Sequence, residues 1–203
     1  MASKAEIRKQ ELREKLVAAA EIRIRRDGAG ALRARDLATD AGCAVGAIYN
    51  AFDDMNAIVM AVNGQTFQAL GQAVRRSLDG AEAAAPTERL ILMSNAYLGF
   101  AAENTRLWRA LFDVQAEETE VPDWYRAALE DLFSNIAAPV AEIFPHKTPE
   151  DLVLMVRALF SAVHGIVLLG LENRISGVPV DQIERMISEV LSRLTWFPEH
   201  RSK

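Results

Sequence analysis

The sequence is short of the residues that build catalytic and metal centres. Cys43 is the single cysteine among 203 residues, so no disulfide can form within the chain, which suits a reducing cytoplasm. The three histidines, at 146, 164 and 200, stand far apart and Cys43 stands alone, so no metal-ligand cluster is visible in the sequence. There is no glycine-rich phosphate loop and no nucleophile elbow. These absences point away from an enzyme, and they call for no metal and no cofactor. Strand signals are also nearly absent, with few alternating runs and few β-branched clusters. The charged opening MASKAEIRKQELREK has no apolar core of the kind a secretory signal needs.

What is present is apolar and helical. Half of the residues are hydrophobic and a quarter are charged, the balance of a globular protein with a sizeable core. One stretch, 152–171, is long enough to span a bilayer. It carries Arg157 and His164, which are costly in hydrocarbon, so it reads as a buried helix, with no membrane and a cytoplasmic location expected. The net charge is −5, yet residues 1–35 hold ten Lys/Arg against five Asp/Glu. A net of +5 therefore sits at one end and −10 in the remainder. An electrostatic footprint is local, so an acidic total is compatible with a basic DNA-facing end.

The apolar periodicity predicts an all-α chain of about nine helices. The first covers 4–27, with Leu12, Leu16, Ala19, Ala20 and Ile24 on one face and Gly28 as its stop. Two short helices follow at 34–41 and 45–51, separated by Gly42. Longer ones are expected at 54–78, 87–103, 105–115, 122–143 (through Pro139), 150–172 and 180–196. Residues 117–120 form an acidic linker, and 81–86, 145–149 and 176–179 read as loops or turns. The domain reading is a helix-turn-helix domain over 1–55, with the motif at 33–52. A helical ligand-binding and dimerisation domain takes 56–203.

Two short helices joined by a glycine turn, after a long basic helix, have the layout of a helix-turn-helix DNA reader. Leu37, Ala38, Ile48 and Phe52 can pack the pair together, and Gly42 can adopt a positive φ cheaply. The run Gly30-Ala-Leu-Arg-Ala-Arg-Asp-Leu-Ala-Thr-Asp-Ala-Gly-Cys-Ala-Val-Gly-Ala-Ile-Tyr-Asn-Ala-Phe52 resembles the signature of the tetracycline-repressor (TetR) family. The matching positions are Arg35 to Ala38, Ala41, Gly42, Gly46, Tyr49 and Phe52, and Ile58 and Val62 continue the match. Three positions depart from it. Ala44 replaces a capping hydroxyl, Ala47 a Thr or Ser, and Met55 a phosphate-binding Lys. The stretches at Tyr97, Leu107-Trp108-Arg109 and Val163-His164-Gly165 resemble a subgroup named for a Trp-His-Gly element in its C-terminal domain.

The resemblance implies a ligand-responsive transcription regulator, a repressor released from a palindromic operator by a small effector. The third helix would enter the major groove of double-stranded DNA. Val45 and Ala47 would meet thymine methyls and Asn50 a base edge or phosphate. Tyr49, Arg33 and Arg35 would touch the backbone, and Lys4, Arg8 and Lys9 would trail along it. A packed ring is the alternative for Tyr49, and a solvated surface for the two arginines. The three departures keep a second function open, a helical protein-binding module or an activator with weakened DNA contacts.

The eighth helix is apolar nearly all round and the ninth has an apolar stripe, which asks for partners on several sides. A homodimer through helices 8 and 9 is expected, using Leu159, Val163, Ile183, Ile187, Val190 and Leu194. The other face of helix 8 would line a pocket with helices 5, 6 and 7. Its candidates are Tyr97, Phe100, Trp108, Phe112, Trp124, Phe133, Phe160 and His164, which would suit a small apolar or aromatic effector. Plain core packing is the competing reading for each ring.

Overall fold

The computed structural model describes residues 3–113, 121–172 and 179–196. Among these, all regular structure is helical. The helices are α1 (Lys4–Asp27), α2 (Ala34–Ala41), α3 (Val45–Ala51), α4 (Met55–Arg76), α5 (Pro86–Glu103), α6 (Thr105–Asp113), α7 (Asp123–Ile143), α8 (Pro149–Leu171) and α9 (Ile183–Leu194). The first three have the bounds read from the sequence. The expected linker at 117–120, the tail of the expected sixth helix and residues 176–178 of the expected turn lie outside the described residues. The ninth helix begins later than expected, because Val180–Gln182 winds as a 3-10 turn.

Local chemistry sets the helix ends. Ser3 and Glu6 form a reciprocal capping box at the start of α1, which satisfies two donors that a helix leaves over. Gly28 ends α1 at φ 86° and ψ 161°, a region essentially restricted to glycine. Gly42 ends α2 in the left-handed conformation. Asp54 accepts from the Ala57 amide at 2.7 Å and so caps α4. Thr148 caps α8, whose first turn holds Pro149, Glu150 and Asp151, the charge the helix dipole favours there.

The chain folds as two compact units, Met1–Ala69 with Asn104–Ala128, and Leu70–Glu103 with Leu129–Lys203. The first extends past the expected boundary at residue 55 for a physical reason. Ile58 and Val62 of α4, and Leu107 and Ala110 of α6, join the core that Leu16, Ile24, Leu37 and Ile48 form. In the second unit α9 packs on α5 and α8, burying Ile183, Ile187 and Leu191. Thr195, at the C-terminal end of α9, ties back to the start of α5. Its hydroxyl donates to the Leu191 carbonyl at 2.7 Å and lies 2.8 Å from the Thr87 hydroxyl.

By length and composition α8 could cross a membrane, its most apolar window having a mean hydropathy of 2.2. Only 28% of that window is buried within the protein. Leu159, Val163 and Val167 point into the second unit, while Val153, Leu154 and Leu169 are exposed. Between Leu154 and Leu169 the exposed residues are Arg157, Ala158 and Ser161.

Candidate nucleic-acid interface and ligand cavity

Seven residues of α3 separate into an inner and an outer face. Ile48 and Ala51 are buried. Val45 is 39% exposed and Tyr49 52%, Asn50 is exposed, and Ala47 is half-buried. Tyr49 is therefore a surface side chain and not a core ring. Ala44 occupies the N-cap of α3 and gives it no side-chain hydrogen bond, so the amides of that turn point outward unclaimed by a local hydroxyl.

The basic residues of the first unit divide into two sets. Lys4, Arg8 and Lys9 on α1, with Arg33 and Arg35 at the start of α2, are exposed. Arg33 is held in place, its Nη1 donating to the Gly30 and Leu32 carbonyls at 2.8 and 2.9 Å. Others build scaffold. Arg23 of α1 pairs with Asp40 and, at 3.6 Å, with Asp36 of α2. Its guanidinium holds the Asp40 carboxyl below the usual carboxylate range. Arg25 bonds Asn104 at 2.7 Å, and Arg26 pairs with Asp27. On α1 and α2, the exposed basic side chains outside these pairings thus lie on the first half of α1, among Glu6, Glu11 and Glu14, and at the start of α2.

Two positioning residues escaped the sequence reading. Arg13 donates to the Ala51 carbonyl and stacks 4.0 Å above the Phe52 ring. It therefore caps the C-terminal end of α3, where cations and donors are favoured. Lys9, one turn earlier on α1, shares that flank. Asn63 of α4 is fully buried and donates to the Ala110 carbonyl at 2.7 Å, one of the last carbonyls of α6, which have no partner within that helix. Asn63 Oδ1 is buried without a hydrogen bond. Tyr125 lies beside it, 3.4 Å from Asn63 Nδ2, and burial pushes its phenol pKa up. A lone buried-type Asn or an Arg on a basic helix gives no sequence signal for such roles.

The second unit contains a cavity of about 40 Å³, within some 520 Å³ of empty space that includes its opening to solvent. Val74, Met93, Tyr97, Leu132, Phe160 and Val163 are among its walls. Of the eight expected ligand residues, Tyr97 and Phe160 line it. Their rings meet edge to face at 5.8 Å. Phe133 and His164 support that wall from behind. Phe133 packs edge-on to Phe160 at 5.0 Å, and His164 stacks on Phe160 at 5.6 Å. The Tyr97 hydroxyl lies 2.7 Å from His164 Nδ1. Phe100, half-buried on α5, is not among the lining residues.

Trp108, Phe112 and Trp124 fall in the first unit and are not among the cavity's described lining residues, to which α4 and α9 contribute Val74 and Leu191. Trp108 is fully buried and meets Phe112 at 5.6 Å. Trp124 lies so close to α4 that a Cβ at Gly64 would fall 2.7 Å from its ring. Helix α6 is strongly amphipathic, and burial of its apolar face against α1 competes directly with a pocket role.

The expected dimer residues divide similarly. Leu159, Val163, Ile183 and Ile187 are buried in the second unit, and Leu159 and Val163 line the cavity. Val190 is half-buried and Leu194 is 52% exposed. Inward packing within the chain claimed the regular stripe, leaving Leu154, Leu169, Met186 and Leu194 outside.

A family model described as "Tetracyclin repressor-like, C-terminal domain" matches residues 90–194. No curated protein matches the chain. Among solved structures, one of a protein with unknown function from Rhodococcus sp. RHA1 is 26% identical, with a TM-score of 0.69 over 90% of this chain and 94% of its own. The TetR family transcriptional regulator PfmR from Thermus thermophilus is 20% identical, with a TM-score of 0.59 over 88% and 97%. The transcriptional regulator FadR from Bacillus subtilis, solved with stearoyl-CoA, is 18% identical, with a TM-score of 0.64 over 88% and 96%. These structures share the fold.

Proposed function

The chain belongs to the tetracyclin-repressor-like family, and from that premise we propose that it is a dimeric, ligand-responsive repressor that leaves a palindromic operator when a small effector binds. The observation that carries this reading is the outward face of α3. Val45, Tyr49 and Asn50 are presented to solvent on a helix locked from beneath by Ile48 and from its end by Arg13. A surface Val and Tyr beside an Asn gain nothing for stability there, but they suit thymine methyls, backbone and base edges. Phosphate affinity comes from Arg33, Arg35, Lys4, Arg8 and Lys9.

A single reading helix covers only one half-site, and two-fold symmetry supplies the second. The surface we assign to the partner copy is the exposed α8 and α9 face carrying Leu154, Leu169, Met186 and Leu194. Burial of so little of α8 within one protomer supports this. The cavity of the second unit is the effector site in this reading. It suits an apolar or aromatic molecule, and FadR with its stearoyl-CoA is a neighbour of this fold that holds an apolar chain.

Helix α4 runs through both units and would carry the signal. Val74 lines the cavity, Asn63 grips the end of α6, and Ile58 packs on the reading domain. An effector that fits a widened cavity better than a closed one shifts the population toward an α4 and α6 position that mis-spaces the reading heads. Titration of a selected operator duplex in rising salt tests the proposal. Log affinity should fall linearly with log salt, and Arg33→Ala with Arg35→Ala should flatten that slope by about one per residue removed. A salt-independent signal, or a slope untouched by the double variant, would favour the protein-binding module instead.

A further inference from the structure

The cavity of the second unit has almost nothing polar with which to hold a guest. Its surface is almost entirely apolar, and of its eleven described lining residues eight have aliphatic or thioether side chains, Leu90, Ile136 and Leu191 among them. None of the eleven carries a charge. The hydroxyls of the wall residues are engaged within the protein. Ser94 Oγ donates to the Leu90 carbonyl at 2.7 Å, and the Tyr97 hydroxyl lies 2.7 Å from His164 Nδ1. A guest therefore meets hydrocarbon, namely the aliphatic walls and the Phe160 ring, against which Tyr97 and Phe133 pack edge to face.

A methyl group and a hydroxyl are nearly equal in size, so they ask the same space of the cavity. Their hydration differs. A hydroxyl leaves hydrogen bonds to water behind and finds no replacement on a carbon wall, whereas a methyl gains by leaving water. The volume adds a limit of its own. About 40 Å³ is room for only a few waters, so even one ring must widen the cavity. Met93, unbranched and adaptable, is the wall side chain most able to give way. A larger guest would press on the branched and aromatic walls, where overpacking is costly.

We propose that this cavity takes a small hydrocarbon without any hydrogen-bonding group, about one ring in size, and rejects the same skeleton once a methyl is exchanged for a hydroxyl or an amine. The inference rests on reading the cavity as the effector site, and it names the chemical class of that effector. Selection comes from the hydration a polar guest must give up, and it needs no polar contact inside the cavity.

Toluene, phenol and aniline differ in one substituent of similar size and are uncharged at neutral pH. Calorimetric titration of the full-length chain with each, followed by operator binding in its presence, tests the proposal. Toluene should bind at least about tenfold more tightly than phenol or aniline. In Val163→Thr, which exchanges one wall methyl for a hydroxyl at similar volume, toluene should weaken severalfold and its lead over phenol should narrow. Phenol or aniline equal to toluene in the wild type overturns the selection rule and leaves the effector site standing. A toluene affinity that Val163→Thr does not change places the guest outside this cavity and overturns the rule as well. Toluene bound with the expected preference but without effect on operator affinity upholds the rule and contradicts the effector reading. Failure of all three to bind at millimolar concentration removes the cavity as an effector site, and the inference with it.

Discussion

In α3 the apolar residues that hold the helix, Ile48 and Ala51, are different in position and in kind from those it shows, Val45, Tyr49 and Asn50. In α8 the same residue types do three jobs. Leu159 and Val163 are core and cavity wall at once, while Leu154 and Leu169 are uncovered. The first unit keeps its buried residues and those proposed to read DNA on opposite faces of one short helix. The second builds its core, its cavity and its outer surface from one aliphatic alphabet. The inner and outer faces are thus told apart by residue identity in one unit and only by burial in the other.

The sharpest way to break this contrast concerns Trp108. If it is core of the first unit, Trp108→Ala should cost about 3–5 kcal/mol in chemical denaturation and leave binding to the cavity unchanged in the folded fraction. Weakened effector binding without loss of stability would return Trp108 to the cavity and blur the two units. The outer face of α8 comes next. Leu154→Glu with Leu169→Glu should convert a dimer to a monomer in light scattering, since like charges facing across a two-fold axis cost several kcal/mol. The same pair should leave the unfolding midpoint of the monomer nearly unchanged, because both side chains are exposed.

Asn63 sharpens the comparison from within the first unit. Asn63→Ala leaves the Ala110 carbonyl without its donor and should cost about 1–3 kcal/mol, read by urea melts. In the proposed mechanism it should also weaken effector-driven release of DNA more than DNA binding itself. The smallest effect expected is a pH dependence at His164. Its folded pKa is lowered by burial from an ordinary 6.5, so the unfolded chain takes up the proton first. This contribution is complete above the unfolded value and is lost as pH falls from there through the folded value. Thermal melts from pH 7 downward should show it, and His164→Asn should remove it.

The sequence was most informative where spacing and residue kind agree. The bounds of α1, α2 and α3, the left-handed Gly42, and the inward Leu37 and Ile48 all follow from periodicity and turn chemistry. Side chains that act at a distance in sequence were hidden. Arg13 reaches Ala51 across 38 residues and Asn63 reaches Ala110 across 47, and neither pairing leaves a local pattern. The cavity was half legible. Aromatic content pointed to Tyr97 and Phe160, but it also drew in Trp108, which is fully buried in the first unit, and Phe112 and Trp124, which fall in that unit with much of their surface exposed. The aliphatic walls, Val74 and Leu132 among them, look like any core residue.

The central claim is that the exposed face of α3 reads DNA sequence while the basic surface around it supplies affinity. Selection of duplexes from a random pool by the wild-type chain and by a Val45→Ala, Asn50→Ala variant tests it most directly. The wild type should enrich an inverted repeat with half-sites one helical turn or a multiple apart. The variant should bind the pool with a similar salt slope but enrich no sequence. No enrichment by the wild type, or the same repeat recovered by both proteins, would contradict the claim.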